Sequence, residues 1–557
     1  MGVSRGWLLG AAVTGGLGWL GVSRWAGTEP GLLETWAAIA SISLSTGFLA
    51  WRFAQPPPTA SSFEDDIPDS PIYTIVSGAR TLAPLLKYTS LPFTTSLANI
   101  QAQLESAVGQ ADAEELNRVF AGGVDRVAEL LGLLNAATLE TLGSHDGRLR
   151  DLTVPSRAAL IAACQSSGLV FRAPYAALVR ALLLASGGAD LALLKRLLDE
   201  GGTVHNLHKL IYADLPSPDR SPLLAHIQRE AQAAVAVGGG AALGMKVVCD
   251  LDDTLYCSHA KNLSGIDTRF PQFCPYPGVF ALLEELAHAH SETAVPGSSE
   301  GGTAALADEP PPGLPGVAFL WARPHAYSDW VEAAIYRYLH GLYRTKRFAV
   351  MPTVLPGSLS AGFQALSRGI AARGNRAALI RAWGPVADFK HQRFLEYAAL
   401  YPEYRFLLIG DNGQGDLSVG ERLVRASAEA AASGDARGGP TMVCVLLHRV
   451  QASEYTYSNY ADLPLKERQK RWERDKVLFF RTYVHAALLL ARMEVLPLRS
   501  LRRVWEEAWK DFREITDDAS EIPHSHREYE RLLRRDTAAA EQHLAACEAS
   551  NPSERQA

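Results

Sequence analysis

The sequence predicts an α/β protein: a parallel sheet in the central part of the chain, helical regions on either side of it, and an apolar segment in front. Three observations predict this. Short apolar runs alternate with helical periodicity between residues 243 and 452. The stretches before and after carry apolar residues at spacings of three and four. The first 60 residues are far more apolar and Gly-rich than the rest of the chain.

A chain of 557 residues exceeds one typical core, so several structural units are expected. A hydrophobic share of 47% with 20% charged residues places it among folded proteins. A formal net charge of -6 lacks the basic excess of a general nucleic-acid binder, so no nucleic acid is expected as partner. Cys164, Cys249, Cys257, Cys274, Cys444 and Cys547 are scattered without CxxC or zinc-type pairing. A reducing compartment, cytoplasm or organelle, is the expectation.

Residues 1–60 hold two apolar stretches, Trp7 to Val22 and Leu32 to Trp51, closed by Pro56, Pro57 and Pro58. The second has the length to cross a bilayer core as a helix. A membrane anchor or hairpin, an organelle-targeting presequence (Arg5 and Arg24, no acid before Glu29) and a buried helix pair all fit. The first makes the protein membrane-associated, with an organelle membrane among the candidates.

Residues 61–242 read as a helical domain, with segments at Leu97 to Val108, Glu114 to Asn135, Pro174 to Ala185 and Leu191 to Leu198. Ser186-Gly187-Gly188 and Gly201-Gly202 mark turns. His205, His208 and Asp214 could be imagined around a metal, but with no further ligand cluster a packing role is favoured.

Gly238-Gly239-Gly240 marks a boundary, after which the period changes. Five apolar runs read as buried parallel strands: Met245 to Cys249, Val317 to Trp321, Arg347 to Met351, Arg405 to Ile409 and Met442 to Leu447. Helical patterns at Tyr327 to Tyr343, Arg368 to Ala382 and His391 to Leu400 lie between them. Residues 291–316, rich in Gly, Ser, Pro and Ala, read as a flexible insertion. Residues 453–557 read as helical and highly charged. The basic run from Lys466 to Lys476 is expected to be a solvated helix, with a role against anionic headgroups, Trp472 at the interface, as the alternative.

The string that carries chemistry is Asp250-Leu251-Asp252-Asp253-Thr254-Leu255, directly after the first strand. In open α/β sheets the ligand sits beyond the carboxyl ends of the strands. Two carboxylates two positions apart there can divide labour, one attacking phosphorus and one handling protons. After the fourth strand comes Gly410-Asp411-Asn412-Gly413-Gln414-Gly415-Asp416, again acids at a strand end. Hard oxygen ligands from two such loops suit Mg2+. Lys390, opening the helix before the fourth strand, supplies a cation. Asp253 is read equally as a support to the metal or as a cap, and Cys249 as a buried strand residue.

This ordered set resembles the haloacid dehalogenase superfamily. The wording DLDDTL, ARPH, a Lys before a helix and FLLIGDNGQGD is similar to the catalytic domain of the actin-patch-associated phosphatidate phosphatase family, over about 200 of the 557 residues. The resemblance implies a haloacid-dehalogenase-like Rossmannoid sheet and an aspartyl-phosphate mechanism. Asp250 would be the nucleophile, Asp252 the general acid/base and Lys390 the third-motif cation. Asp250, Asp252, Asp411 and Asp416 would form the metal set. Thr254, a candidate for phosphate binding, is read first as fixing its loop, and the Ala322 amide and Arg323 are the groups that could still reach the phosphoryl beside Trp321. One piece departs: Trp321 stands where the family's second-motif Ser or Thr belongs.

The expected function is a magnesium-dependent phosphatase acting on phosphatidate or a related lipid phosphate, with a membrane as partner. The rivals are a phosphatase of soluble phosphomonoesters, a membrane-tethered pseudophosphatase that binds lipid or protein without turnover, and an adaptor built on the flanking helices.

Overall fold

The computed structural model describes residues 70–72, 75–76, 93–144, 148–258, 267–291, 316–321, 328–355, 357, 359–372, 375–433, 439–517 and 524–550. The apolar segment expected at 1–60 and all but the ends of the insertion expected at 291–316 lie outside them.

Six strands form one open, wholly parallel sheet: β1 (Met245–Asp250), β2 (Ala318–Leu320), β3 (Thr353–Leu355), β4 (Arg405–Asp411), β5 (Met442–His448) and β6 (Val477–Phe480). Their spatial order is β3-β2-β1-β4-β5-β6. The chain therefore builds outward from β1 on one side, then returns to its other side for β4. That reversal falls at the carboxyl ends of β1 and β4, the place where open α/β sheets take ligands.

The strands are buried on both faces, as parallel strands covered by crossover helices must be. Val248, Ala318, Leu320, Leu408, Val445 and Val477 face one apolar core; Val247, Cys249, Phe319, Ile409, Leu446 and Phe480 face the other. The first core is filled by the N-terminal helices and by Phe394 and Tyr397 of the Gly384–Leu400 helix. The second is covered by Val279–Ser291, Ser328–Arg344, Tyr483–Arg492, Leu498–Asp517 and His524–Ser550.

Several expectations shift. Arg347 to Met351 is not a strand; the third strand is Thr353–Leu355, and the Thr353 hydroxyl donates to the Asp199 carbonyl (3.1 Å). The single helix expected from Glu114 to Asn135 is two, broken where Gly123 adopts φ 98. Arg368 to Ala382 also divides, into Leu359–Ala371 and Arg376–Arg381. The region after 453 is not all helix: β6 completes the sheet from beyond the boundary expected at 452. Trp472 does not face an interface. It is buried and its indole donates to Glu421 (2.8 Å), which also accepts from Ser458 and Asn459.

The helices before β1 dock through buried polar pairs on the Gly384–Leu400 helix and the turn that leads from it to β4. Lys195 Nζ lies 2.5 Å from Glu403 Oε1, and the Tyr401 hydroxyl donates to Asp199 (2.5 Å). His208 pairs with Glu396 (2.9 Å) and stacks on Tyr212, while Asp214 accepts from Gln165 (2.8 Å). His208 and Asp214 are thus packing residues. Among the described residues no helix is long and apolar enough to cross a membrane.

Candidate active site

Asp250 is the last residue of β1 and Asp411 the last of β4, neighbouring strands in parallel register, so both carboxylates emerge at the same end of the sheet. Asp416 opens the Asp416–Ser433 helix and turns back toward them. Carboxylate oxygens of Asp250, Asp411 and Asp416 all lie within 4.8 Å of one another, and all three side chains are buried. Lys390 comes up from the helix before β4, in its second turn rather than at its start. Its Nζ lies 2.9 Å from Asp250 Oδ1 and 2.5 Å from Asp416 Oδ1.

The glycines of the second acidic loop make this possible. A Cβ on Gly410 would stand 2.5 Å from Asp416 Oδ2, so any side chain there would push Asp416 out. Gly415, at φ 95, reverses the chain before the helix. Asp416 Oδ2 accepts from the Asp411 amide (3.2 Å), and Asp411 Oδ1 accepts from the amides of Gly413 and Gln414. Asn412 ties the loop to the chain after β5 by accepting from the Val450 amide (2.9 Å) and Gln451 amide (3.1 Å).

Three buried carboxylates confront one ammonium. Burial, then Asp416, pushes the Asp250 carboxyl well above its ordinary range, against the pull of Lys390. Burial, then Asp416 and Asp250, does the same to Asp411. Burial alone would lower Lys390, but Asp250, Asp416 and Asp411 hold it above the usual lysine range. Asp250 Oδ2 and Asp411 Oδ2 are buried without a hydrogen-bond donor, and Asp250 Oδ1 meets only the Lys390 ammonium. Orphaned hard oxygens in excess of positive charge are the donor set of a hard divalent cation, and Mg2+ fits it.

Asp252 is buried beside the converging trio and contributes to the field on Asp250, but is not one of the three. Asp253 is bent to φ 57 and acts as a cap: its carboxylate accepts from the Ser258 amide and hydroxyl (3.0 and 2.6 Å) and from the Asp267 amide (3.3 Å). Thr254 is held through its carbonyl, which accepts from the Tyr483 hydroxyl (2.5 Å); its own hydroxyl is buried and unpartnered. Ala322 and Arg323 lie outside the described residues. Trp321 is described. Its ring belongs to the apolar core with Cys249, Phe319 and Tyr336, its amide donates to Leu355, and its indole N–H is buried without a partner among the described residues.

A supporting circuit was not foreseen. His448, at the end of β5, donates from Nδ1 to the Asp253 carbonyl (2.7 Å) and accepts at Nε2 from Arg269 (3.0 Å). Arg269 forks onto Asp267 (2.7 and 3.0 Å), which also accepts from Tyr276 (2.6 Å) and whose amide reaches Asp253. Burial works against it, yet Arg269 holds the Asp267 carboxyl below its ordinary range. The one signal in the sequence is the acid and base pair Asp267 and Arg269 close after the first acidic loop.

The architecture is α/β with a six-stranded, all-parallel open sheet, compatible with a Rossmann-like fold. Comparison with protein-family models, with curated proteins and with solved structures finds no match for the chain, so the reading of this site rests on its own residues.

Proposed function

We propose that the protein is a magnesium-dependent phosphohydrolase acting through an aspartyl-phosphate, with a lipid phosphomonoester such as phosphatidate as its substrate. The observation that carries the reading is the buried trio Asp250, Asp411 and Asp416 around Lys390 at the switch point of a parallel sheet. The resemblance of the two acidic loops to the haloacid dehalogenase superfamily supplies the chemistry; the lipid assignment rests on the phosphatidate phosphatase wording and the apolar N-terminal stretch.

An Asp250 carboxylate oxygen attacks phosphorus and forms the new P–O bond as the bond to the leaving oxygen breaks. The leaving alkoxide takes a proton from the Asp252 carboxyl and departs as the alcohol. Water then attacks the same phosphorus, giving its proton to Asp252. The P–O bond to Asp250 breaks, releasing inorganic phosphate and restoring both groups. Lys390 favours the ionised form of Asp250, opposing burial and Asp416, and offsets charge on the phosphoryl group. Bound Mg2+ would be held by Asp250, Asp411 and Asp416, and would supply further charge neutralisation.

The test is phosphate release from phosphatidate vesicles with magnesium, beside the soluble substrate glycerol 3-phosphate. Wild-type release that Asp250→Asn removes is expected. Equal turnover of the soluble ester would sink the lipid assignment alone. A second reading, a binding protein without turnover, draws on Trp321 at the second-motif position; a silent wild type that still pellets with the vesicles would favour it.

A further inference from the structure

The carboxyl ends of the two outer strands carry a different chemistry from the acidic centre. His448 of β5 is in register with Phe480 of β6, so Arg449 and Arg481 occupy the next pair of positions on parallel neighbours. Adjacent strands lie about 4.8 Å apart, and like charges placed side by side across them repel. Arg449 feels this: burial, then Arg481, lowers its pKa. His485, in the first turn of the Tyr483–Arg492 helix, feels the charges of Asp536, Arg535, Arg492 and Arg449. The one acid of the group is already engaged, since Asp536 takes Arg535 on Oδ1 (2.7 Å) and the Thr482 hydroxyl on Oδ2 (2.7 Å). Among the described residues Arg449, Arg481 and Arg492 make no ion pair. Arg449 Nε and His485 Nδ1 are buried with no hydrogen-bond partner.

A cross-strand pair of guanidiniums, two orphaned polar nitrogens and a helix amino end form an arrangement short of an anion. Every fixed cation in it is arginine, whose planar fork suits multi-oxygen acceptors better than the point charge of lysine. Donors come from two strand ends and one helix, and the Arg449 guanidinium lies over the Phe479 ring (5.3 Å). We propose that Arg449, Arg481 and His485, backed by Arg492, form an anion site that holds a phosphate-class group. It is separate from the acidic centre and does not rest on the phosphohydrolase reading. The group belongs either to free phosphate or to a phospholipid headgroup, which share this chemistry.

The test uses the full chain in EDTA, where the acidic trio repels anions. Thermal unfolding is followed as inorganic phosphate replaces chloride at constant ionic strength, in wild type, Arg481→Gln, Arg449→Lys and Asp250→Asn. A rise in Tm with phosphate is expected in wild type and in Asp250→Asn. In Arg481→Gln, an exposed position whose loss leaves the core intact, half-saturation should need about tenfold more phosphate. Arg449→Lys keeps the charge, loses the fork and should weaken binding likewise. Co-sedimentation with phosphatidate vesicles against phosphatidylcholine vesicles separates the two sources: pelleting lost in Arg481→Gln assigns the headgroup, and phosphate protection without pelleting assigns the free ion. No phosphate-dependent rise in wild type overturns the proposal. So does a rise that both arginine variants retain, or one that Asp250→Asn alone abolishes.

Discussion

His448 Nδ1 lies 2.7 Å from the carbonyl oxygen of Asp253, so the end of β5 grips the turn that carries the acids following β1. The contact spans 195 residues of chain and holds the left-handed bend at Asp253, directly after Asp250 and Asp252. Because Arg269 has only donors to offer, His448 must accept at Nε2 and carry its proton at Nδ1. The circuit therefore requires a neutral imidazole.

Burial, then the neighbouring Arg269, lowers the His448 pKa to about 4. An unfolded histidine titrates near 6.5, so between those values the unfolded chain binds the extra proton and the folded one does not. The stability from this residue is complete above pH 6.5 and is lost as pH falls toward 4, by about 3 kcal/mol over the window. His448→Asn retains a donor toward Asp253 and removes the titration. Urea denaturation at pH 7 and pH 4.5 should show a smaller loss in the variant than in wild type.

Lys390→Met removes the ammonium from three buried carboxylates. Breaking a buried charge cluster in this way costs about 3–5 kcal/mol of stability. Denaturant unfolding in EDTA should show that loss, and added magnesium should recover part of it while phosphate release stays abolished.

Gly410→Ala places a methyl 2.5 Å from Asp416 Oδ2 and displaces the carboxylate that brackets Lys390 and the Asp411 amide. Loss of an outer partner of a ligand costs about 10–100-fold in metal affinity, and loss of a ligand such as Asp416 should cost at least that. Calorimetric titration with magnesium should show that weakening; unchanged affinity would mean that Asp416 has no part in holding the ion.

Trp321→Phe keeps the packing and removes an indole N–H that has no partner among the described residues. Phosphate release should be unchanged if the ring serves only the core. Trp321→Thr leaves a cavity in the core and should cost about 3–5 kcal/mol in thermal or urea unfolding, so a change in its turnover has to be separated from its loss of fold.

The acids were legible because two apolar runs, each followed at once by carboxylates, agree with parallel strands that deliver them to the same carboxyl end of the sheet. Asp250, Asp411, Asp416 and Lys390 converge for that reason. The strand starting at Thr353 was not, because Arg347 to Met351 has the stronger apolar pattern, while Thr353–Leu355 is only three residues long and is recognised by its neighbours. Val477–Phe480 was hidden behind a charged helix, its four residues too few for either period to show. Trp472 could not be placed without knowing that Glu421 waits for its indole. The Asp253–His448–Arg269–Asp267 circuit is tertiary throughout, and no spacing along the chain announces it.

The docking of the early helices carries one more consequence. Leu194, Leu198 and Leu210 share an apolar core with Val248, Leu408 and Leu447, and Lys195 is sealed against Glu403 beneath it. The glycine run at 238–240 is thus a boundary in composition but not in cohesion. A fragment cut at Met245 would open to water the apolar surface that the early helices cover and strand Glu403 without its cation, and a cut at 452 would strip β6 from the edge. Heat or denaturant should therefore dismantle helices and sheet in a single transition, and dissection of the gene along its apparent seams should yield aggregation in place of modules.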